Sequence, residues 1–175
     1  VSDMTISLYL EYLMDAFLIS RAKRFDIKGK KYLNTPYKYY FTDLGIRNAL
    51  LDFRQVEETH LLENLIYNEL ITRGYSVDVG KVFLLEKLDN GYQKKSREVD
   101  FVVNKMNRRY YIQSALSLPS KEKLKQETAS LCAIDDFFKK IIITSDTVLP
   151  YQDEKGLIFI GLEDFILDKN SLNLF

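Results

Sequence analysis

The chain has 175 residues, 46% of them hydrophobic and 29% charged, the balance of an ordinary globular protein with room for one well-cored domain or one domain plus a small appendage. Lys plus Arg and Asp plus Glu both number 25, so net charge announces no polyanionic partner, and only local clusters of charge can. No run approaches the ~20 apolar residues of a membrane span, no secretory signal is visible, and the single cysteine, Cys132, excludes an internal disulfide and suits a reducing cytoplasm.

Ser2 and Asp3 open the first predicted helix, since either side chain can cap free backbone N–H groups. Ile6, Leu10, Leu13, Met14 and Phe17 follow at helical spacing and give it one apolar face. The first residue is Val and a helix begins almost at once, which reads as the back part of a longer polypeptide. A strand-like run, AFLISRAKRFD, then leads through the turn IKGKK to a second, YKYYFTDLG. One helix leading into a hairpin is the back half of a winged helix-turn-helix.

Residues 21–40 hold seven Lys or Arg against one acid, interleaved with Tyr32, Tyr37, Tyr39 and Tyr40. On a hairpin wing, Lys23, Arg24, Lys28, Lys30 and Lys31 would lie where a DNA backbone passes, and phosphate contacts dominate non-specific affinity. The bland alternative is a solvated hairpin whose tyrosines pack on the neighbouring domain.

Residues 56–73, VEETHLLENLIYNELITR, predict a helix with Leu62, Leu65, Ile66, Leu70 and Ile71 on one side and Gly74 as its terminator. Its acids cluster in the first turns, where the helix dipole favours them. His60 lies there without a Cys or His at ligand spacing and reads as structural. Strands follow at YSVDVGKVFLLE, REVDFVV and RRYYIQSA, then a helix capped by Ser120 in LPSKEKLKQETASLCAI, whose apolar setting makes Cys132 a buried thiol. KKIIITSD is a strand buried on both faces, GLIFIGL a short strand and EDFILD a closing helix. This order, α-β-β-β-α-β-β-α, predicts a mixed α/β fold with helices packed on a sheet.

A metal-dependent nuclease needs carboxylates to hold Mg²⁺ and a lysine near the attacking water, commonly an acid on one strand facing acid-x-Lys on the next. ENLIYNELITRGYSVDV, EVDFVV and RYYIQSA resemble the helix and strands of PD-(D/E)xK nuclease-like domains. That resemblance makes Glu63 the helix acid and Asp100 the strand acid, with Gln113 and Ala115 where an acid and a lysine belong. Further runs, VSDMTISLYLEYLMDAFLI, FDIKGKKY, KYYFTDLGIRNALL and YIQSALSL, are similar to the carboxy-terminal region of a prokaryotic AAA-type ATPase family. There an ATP-binding module precedes a winged-helix segment and a nuclease-like domain.

The resemblance implies a partial winged helix over 1–52 and a restriction-endonuclease-like domain over 53–175. It further implies ATP binding only in an upstream module of the same polypeptide, since these residues contain no GxxxxGK[ST] loop. Two carboxylates are a thin set for Mg²⁺, and the lysine is missing, so a vestigial site is the expected reading. Lys81 is the candidate to replace the ammonium if the site is active. Asp100 in an apolar strand needs a partner or exposure, Glu63 can equally serve its helix dipole, and Gln113 can equally bond the Asp100 strand. A second basic cluster, Lys94, Lys95, Arg97, Arg108 and Arg109, brackets the Asp100 strand. The readings left open are a DNA- or partner-binding regulatory module, a nuclease using Mg²⁺, and a self-association domain forming a homo-oligomer.

Overall fold

The computed structural model describes residues 2–34, 36–54, 56–88 and 91–175, with side chains except at 85–88, 92 and 94. It is a mixed α/β fold built on one large sheet with helices on both faces. The first helix, α1 (Asp3–Asp15), is capped by Ser2, whose hydroxyl accepts from the Thr5 amide. Its apolar residues stay at the surface: none is buried, and Phe17 falls beyond its end at φ 56.

Two short strands, β1 (Ile19–Ala22) and β4 (Lys38–Phe41), pair antiparallel and enclose the hairpin of β2 (Arg24–Asp26) and β3 (Lys31–Tyr32). The hairpin does not project as a free wing, because β2 pairs in parallel with β5 (Ser76–Leu88). Helix α2 (Leu44–Leu50), which the hydrophobic pattern does not announce, starts at Asp43, whose carboxylate accepts from the Ile46 amide.

Helix α3 (Glu58–Thr72) ends at Gly74, whose φ of 77 suits a residue without a Cβ and lets the Tyr75 amide reach the Leu70 carbonyl. Its buried face combines Leu62, Ile66 and Leu70 with Glu63, Asn64 and Tyr67, whereas Ile71 is exposed. Strands β6 (Gly91–Lys105) and β7 (Arg108–Ala115) come next, then α4 (Lys121–Cys132) under its Ser120 cap. Strand β8 (Lys139–Thr144), the two-residue β9 (Tyr151–Gln152), β10 (Leu157–Gly161) and α5 (Leu162–Leu167) complete the order.

The sheet runs β3-β2-β5-β6-β7-β8-β10-β9, with β7, β8 and β10 parallel. One face packs against α3 and α5 through Ile66, Leu70, Phe101, Ile112, Ile141 and Phe165. The other packs against α4 through Val82, Val102, Tyr111, Leu131, Ile142 and Phe159. Central strands β8 and β10 are buried on both faces, as continuous apolar runs require. Cys132 departs from expectation: α4 turns Thr128, Ser130 and Leu131 inward, and the next residue along the helix faces solvent. Among the described residues no helix is long and apolar enough to cross a membrane.

One irregularity shapes everything nearby. Asp78 lies opposite Val102 and Gly80 opposite Val99, so one β5 residue, Val79, faces two on β6, Asp100 and Phe101. This β-bulge puts Val99 and Val102 on the same face, although strict alternation would separate them. Gly80 sits beneath that crowding, where a Cβ would stand 2.8 Å from Ile27 Cδ1, 2.9 Å from Val99 Cβ and 3.0 Å from Val102 Cγ2. Gly80→Ala is expected to lower stability by about 1–3 kcal/mol, the usual cost of overpacking. Urea denaturation measures it, and an unchanged midpoint would contradict the bulge geometry.

Candidate functional site

The bulge turns two successive β6 side chains toward α3. Phe101 enters the core, 6.5 Å between ring centroids from Tyr67, while the Asp100 carboxylate comes within electrostatic reach of Glu63 on that helix. At the same point the sheet forks. The β6–β7 ladder stops at the pair Phe101–Ile112, β6 continues with β5, and β7 continues with β8 to Ala115–Thr144. The fork leaves the Ser114 amide without a strand partner, and Asp100 Oδ2 accepts from it at 2.8 Å and from the Ser114 hydroxyl at 2.6 Å.

Strand β4 supplies the rest of the site. Asn64 on α3 clamps it at both polar groups of one residue: the Phe41 amide donates to Asn64 Oδ1 at 2.9 Å, and Asn64 Nδ2 donates to the Phe41 carbonyl at 2.8 Å. Asn68 adds a donor to the same carbonyl at 3.0 Å, and Tyr40 stacks on Tyr67 at 3.9 Å. The polar members of ENLIYNEL thus dock a strand twenty-odd residues upstream. Docked this way, β4 presents Tyr40, whose hydroxyl donates to Glu63 Oε1 at 2.6 Å, and Lys38, whose Nζ lies 2.5 Å from the same oxygen.

Lys38 Nζ also lies 3.1 Å from Glu98 Oε1, two residues before Asp100, and the other Glu98 oxygen pairs with Arg24 and, at 2.9 Å, with Lys81. The cluster is therefore Glu63, Glu98 and Asp100 against Lys38, Lys81 and Arg24, drawn from five elements. Burial works to lower the Lys38 ammonium, but Glu63, Glu98 and Asp100 together lift it above its ordinary value. Burial and then the Glu63 carboxylate push Asp100 up to about 7, against Ser114 and Lys38. Glu98 goes the other way: burial opposes ionisation, yet its bonds to Lys81, Arg24 and Lys38 hold it down to about 2.

The structure thus brings Glu63 and Asp100 together, and the cation beside them is Lys38 rather than Lys81. Gln113 turns to the opposite face, where its Oε1 accepts from Ser130 on α4 at 3.3 Å and from the Asp100 amide at 3.4 Å. Ser114 takes the place facing Asp100. Sequence reasoning missed Lys38, Tyr40, Glu98 and Ser114. Glu98 had a usable signal, since it precedes Asp100 by two on one strand. Lys38 had none, because only the Asn64 clamp places it.

These residues do not fit a divalent cation. Lys38 Nζ already bridges Glu63 and Glu98, Asp100 Oδ2 is saturated by Ser114, and the third strand offers a hydroxyl rather than a carboxylate. Among the described residues no three His, Cys, Asp or Glu side chains converge to hold a metal, and His60 pairs instead with Glu57 at 2.7 Å.

The basic residues separate into groups. Lys28, Lys30 and Lys31 are exposed on the β2–β3 hairpin, and Lys23 lies over the Tyr32 ring at 5.4 Å. Arg24 is committed to Glu98 and to the Pro36 carbonyl, at 3.0 Å. Arg97 and Arg108 lie toward opposite ends of the β6–β7 region, roughly 25 Å apart at the ordinary rise of a strand. Lys95 is exposed near Arg97, and the side chain of Lys94 lies outside those described.

Because Asp100 binds its proton more tightly in the folded chain than at its ordinary value of 3.8, its contribution to stability falls as pH rises from about 4 to about 7. Asp100→Asn removes that slope and keeps an acceptor for Ser114. Urea midpoints across this window should therefore move in favour of the variant relative to wild type as pH rises, by at most about 1.4 kcal/mol per unit. A difference that stays flat would contradict a buried, raised Asp100.

Residues 1–57 match the model of a domain of unknown function, DUF8612. An uncharacterized protein of Haemophilus influenzae is 40% identical over 143 residues, covering 82% of this chain and 32% of the relative. An uncharacterized protein of Methanocaldococcus jannaschii is 31% identical over 164 residues, covering 94% of this chain and 34% of the relative. No solved structure matches the chain significantly. The chain spans about a third of the length of the curated relatives it matches, and its similarity to them runs through both the DUF8612 segment and the sheet that follows.

Proposed function

We propose that this chain is a non-catalytic, DNA-contacting regulatory module, carried at the carboxy-terminal side of an AAA-type ATPase and built on a PD-(D/E)xK nuclease-like sheet whose site no longer cuts. The observation that carries the reading is the Lys38 ammonium, 2.5 Å from Glu63 and 3.1 Å from Glu98. It stands among carboxylates where a nuclease would hold its metal, and its positive charge makes metal binding there unfavourable. The docking role of ENLIYNEL supports the same view: Glu63 is spent on Tyr40 and Lys38, and its neighbours Asn64 and Asn68 hold β4.

Relatives about three times as long support a module that works within a larger polypeptide, and ATP binding belongs to that remainder. DNA contact rests on Lys28, Lys30 and Lys31, which are exposed at the sheet edge and form no ion pair among the described residues. Self-association is the second reading, favoured by the unburied apolar side chains of α1, among them Met4 at 83% exposure and Tyr9 at 62%.

Two assays on the same protein separate these readings. With Mg²⁺ or Mn²⁺ and supercoiled plasmid, no nicking is expected; clean cutting abolished by Asp100→Ala would restore the active nuclease of Glu63, Asp100 and Lys81. In gel shifts across a salt series, duplex binding should weaken steeply with salt. Replacing Lys28, Lys30 and Lys31 together with Gln should lower the log–log slope by about 2 to 3. Absent binding at low salt, with a dimer in sedimentation, would favour self-association instead.

A further inference from the structure

The β6–β7 turn overhangs a shallow, open cleft of about 540 Å³, one of whose cations, Arg109, also reaches 5.3 Å over the Phe25 ring of β2. Its cations are Arg108, Arg109 and Lys139. Each is positioned by a neutral oxygen: Arg108 donates to Asn173 Oδ1 at 2.7 Å, Arg109 Nε to Asn104 Oδ1 at 2.8 Å and Lys139 Nζ to the Leu174 carbonyl at 3.0 Å. Among the described residues none of the three forms an ion pair with a carboxylate, and no acid lines this cleft. Burial and the nearby Arg108 guanidinium hold the Lys139 ammonium below its ordinary value, whereas Arg109 lies within electrostatic reach of Asp78.

Beside these cations stand two consecutive aromatic residues. Phe138 packs edge-on against Tyr111 and lies 5.5 Å beneath the Arg109 guanidinium. Phe137 is fully exposed at the cleft wall, so its ring face is open for stacking. Asn107 and Asn170, which also line the cleft, carry amides with both donors and acceptors.

We propose that this cleft binds a nucleotide unit, with the phosphate held by Arg108 and Lys139 and the base stacked on Phe137. Guanidinium and ammonium groups that lack a carboxylate partner match a phosphate. An open aromatic face accepts any base, because every base has a π-face. The amides can bond base or ribose edges. The site is separate from the Lys38 cluster and from the hairpin lysines, so it does not depend on the nuclease ancestry.

The test uses the full chain and ADP carrying an N-methylanthraniloyl fluorophore on its ribose, followed by fluorescence anisotropy at low salt. Saturable binding is expected, displaced by unlabelled ADP far better than by adenosine or inorganic phosphate alone. Phe137→Ala and Arg108→Gln should each weaken it by about tenfold, the scale of one stacked base or one charged phosphate contact. Phe137 is fully exposed, so its variant should keep the wild-type urea midpoint. Replacing Lys28, Lys30 and Lys31 should leave the binding intact, which separates this site from the hairpin. A short single strand that competes better than ADP identifies a polynucleotide end as the source, and the reverse order identifies a free nucleotide. No saturable binding up to about 1 mM, or full affinity in both variants, would overturn the proposal.

Discussion

The Lys38 ammonium sits where the amino-terminal segment meets the sheet, beside the β2–β5 pairing and the Asn64 clamp. Lys38 leaves a strand that belongs to the first third of the chain and settles among Glu63 on α3 and Glu98 and Asp100 on β6. Three acids gathered in a largely buried place repel one another, and unpaired buried carboxylates are costly. The charge of Lys38 offsets that cost for Glu63 and Glu98 directly, while Asp100 retains a proton far more readily than an ordinary carboxyl. The arrangement holds only because Asn64 and Asn68 fix β4, so electrostatics and docking depend on the same few residues of α3.

The second constraint is the bulge. An extra β6 residue opposite Val79 brings Asp100 round to the α3 face and forces Val99 and Val102 together over Gly80. Immediately beyond it the β6–β7 ladder opens, and Asp100 satisfies the amide that the opening strands. Bulges commonly re-aim a side chain beside a functional site. Here the re-aimed carboxylate accepts from Ser114 and lies within electrostatic reach of Glu63 and Lys38.

Much of the architecture was readable in the sequence because its signals are local. Ser120 caps α4, Gly74 ends α3, RRYYIQSA is β7 to the residue, and KKIIITSD contains the buried β8. The pairing of Glu63 with Asp100 was also visible, through the order of the helix and strand motifs. What escaped depends on three-dimensional placement. Alternation along β7 sends Gln113 toward α4 and leaves Ser114 beside Asp100, and no spacing rule reveals on which face a forked strand begins. Lys38 reaches the acids across 60 positions in sequence from Glu98, whereas Lys81, nearer to Asp100 in the sequence, pairs among the described residues with Glu98. The aromatic wall at Phe137 and Phe138 gave no pattern, since it becomes a cleft only when the β6–β7 turn folds beside it.

On the proposed reading, the Lys38 ammonium occupies the place that a nuclease gives to its metal ion. Thermal unfolding of wild type and Lys38→Met, each with and without Mn²⁺, tests it most directly. Wild type should be indifferent to Mn²⁺, whereas the variant should begin less stable and regain stability as the ion takes the vacated charge position. A wild-type protein that Mn²⁺ stabilises, or a variant that Mn²⁺ leaves unaided, would contradict the account.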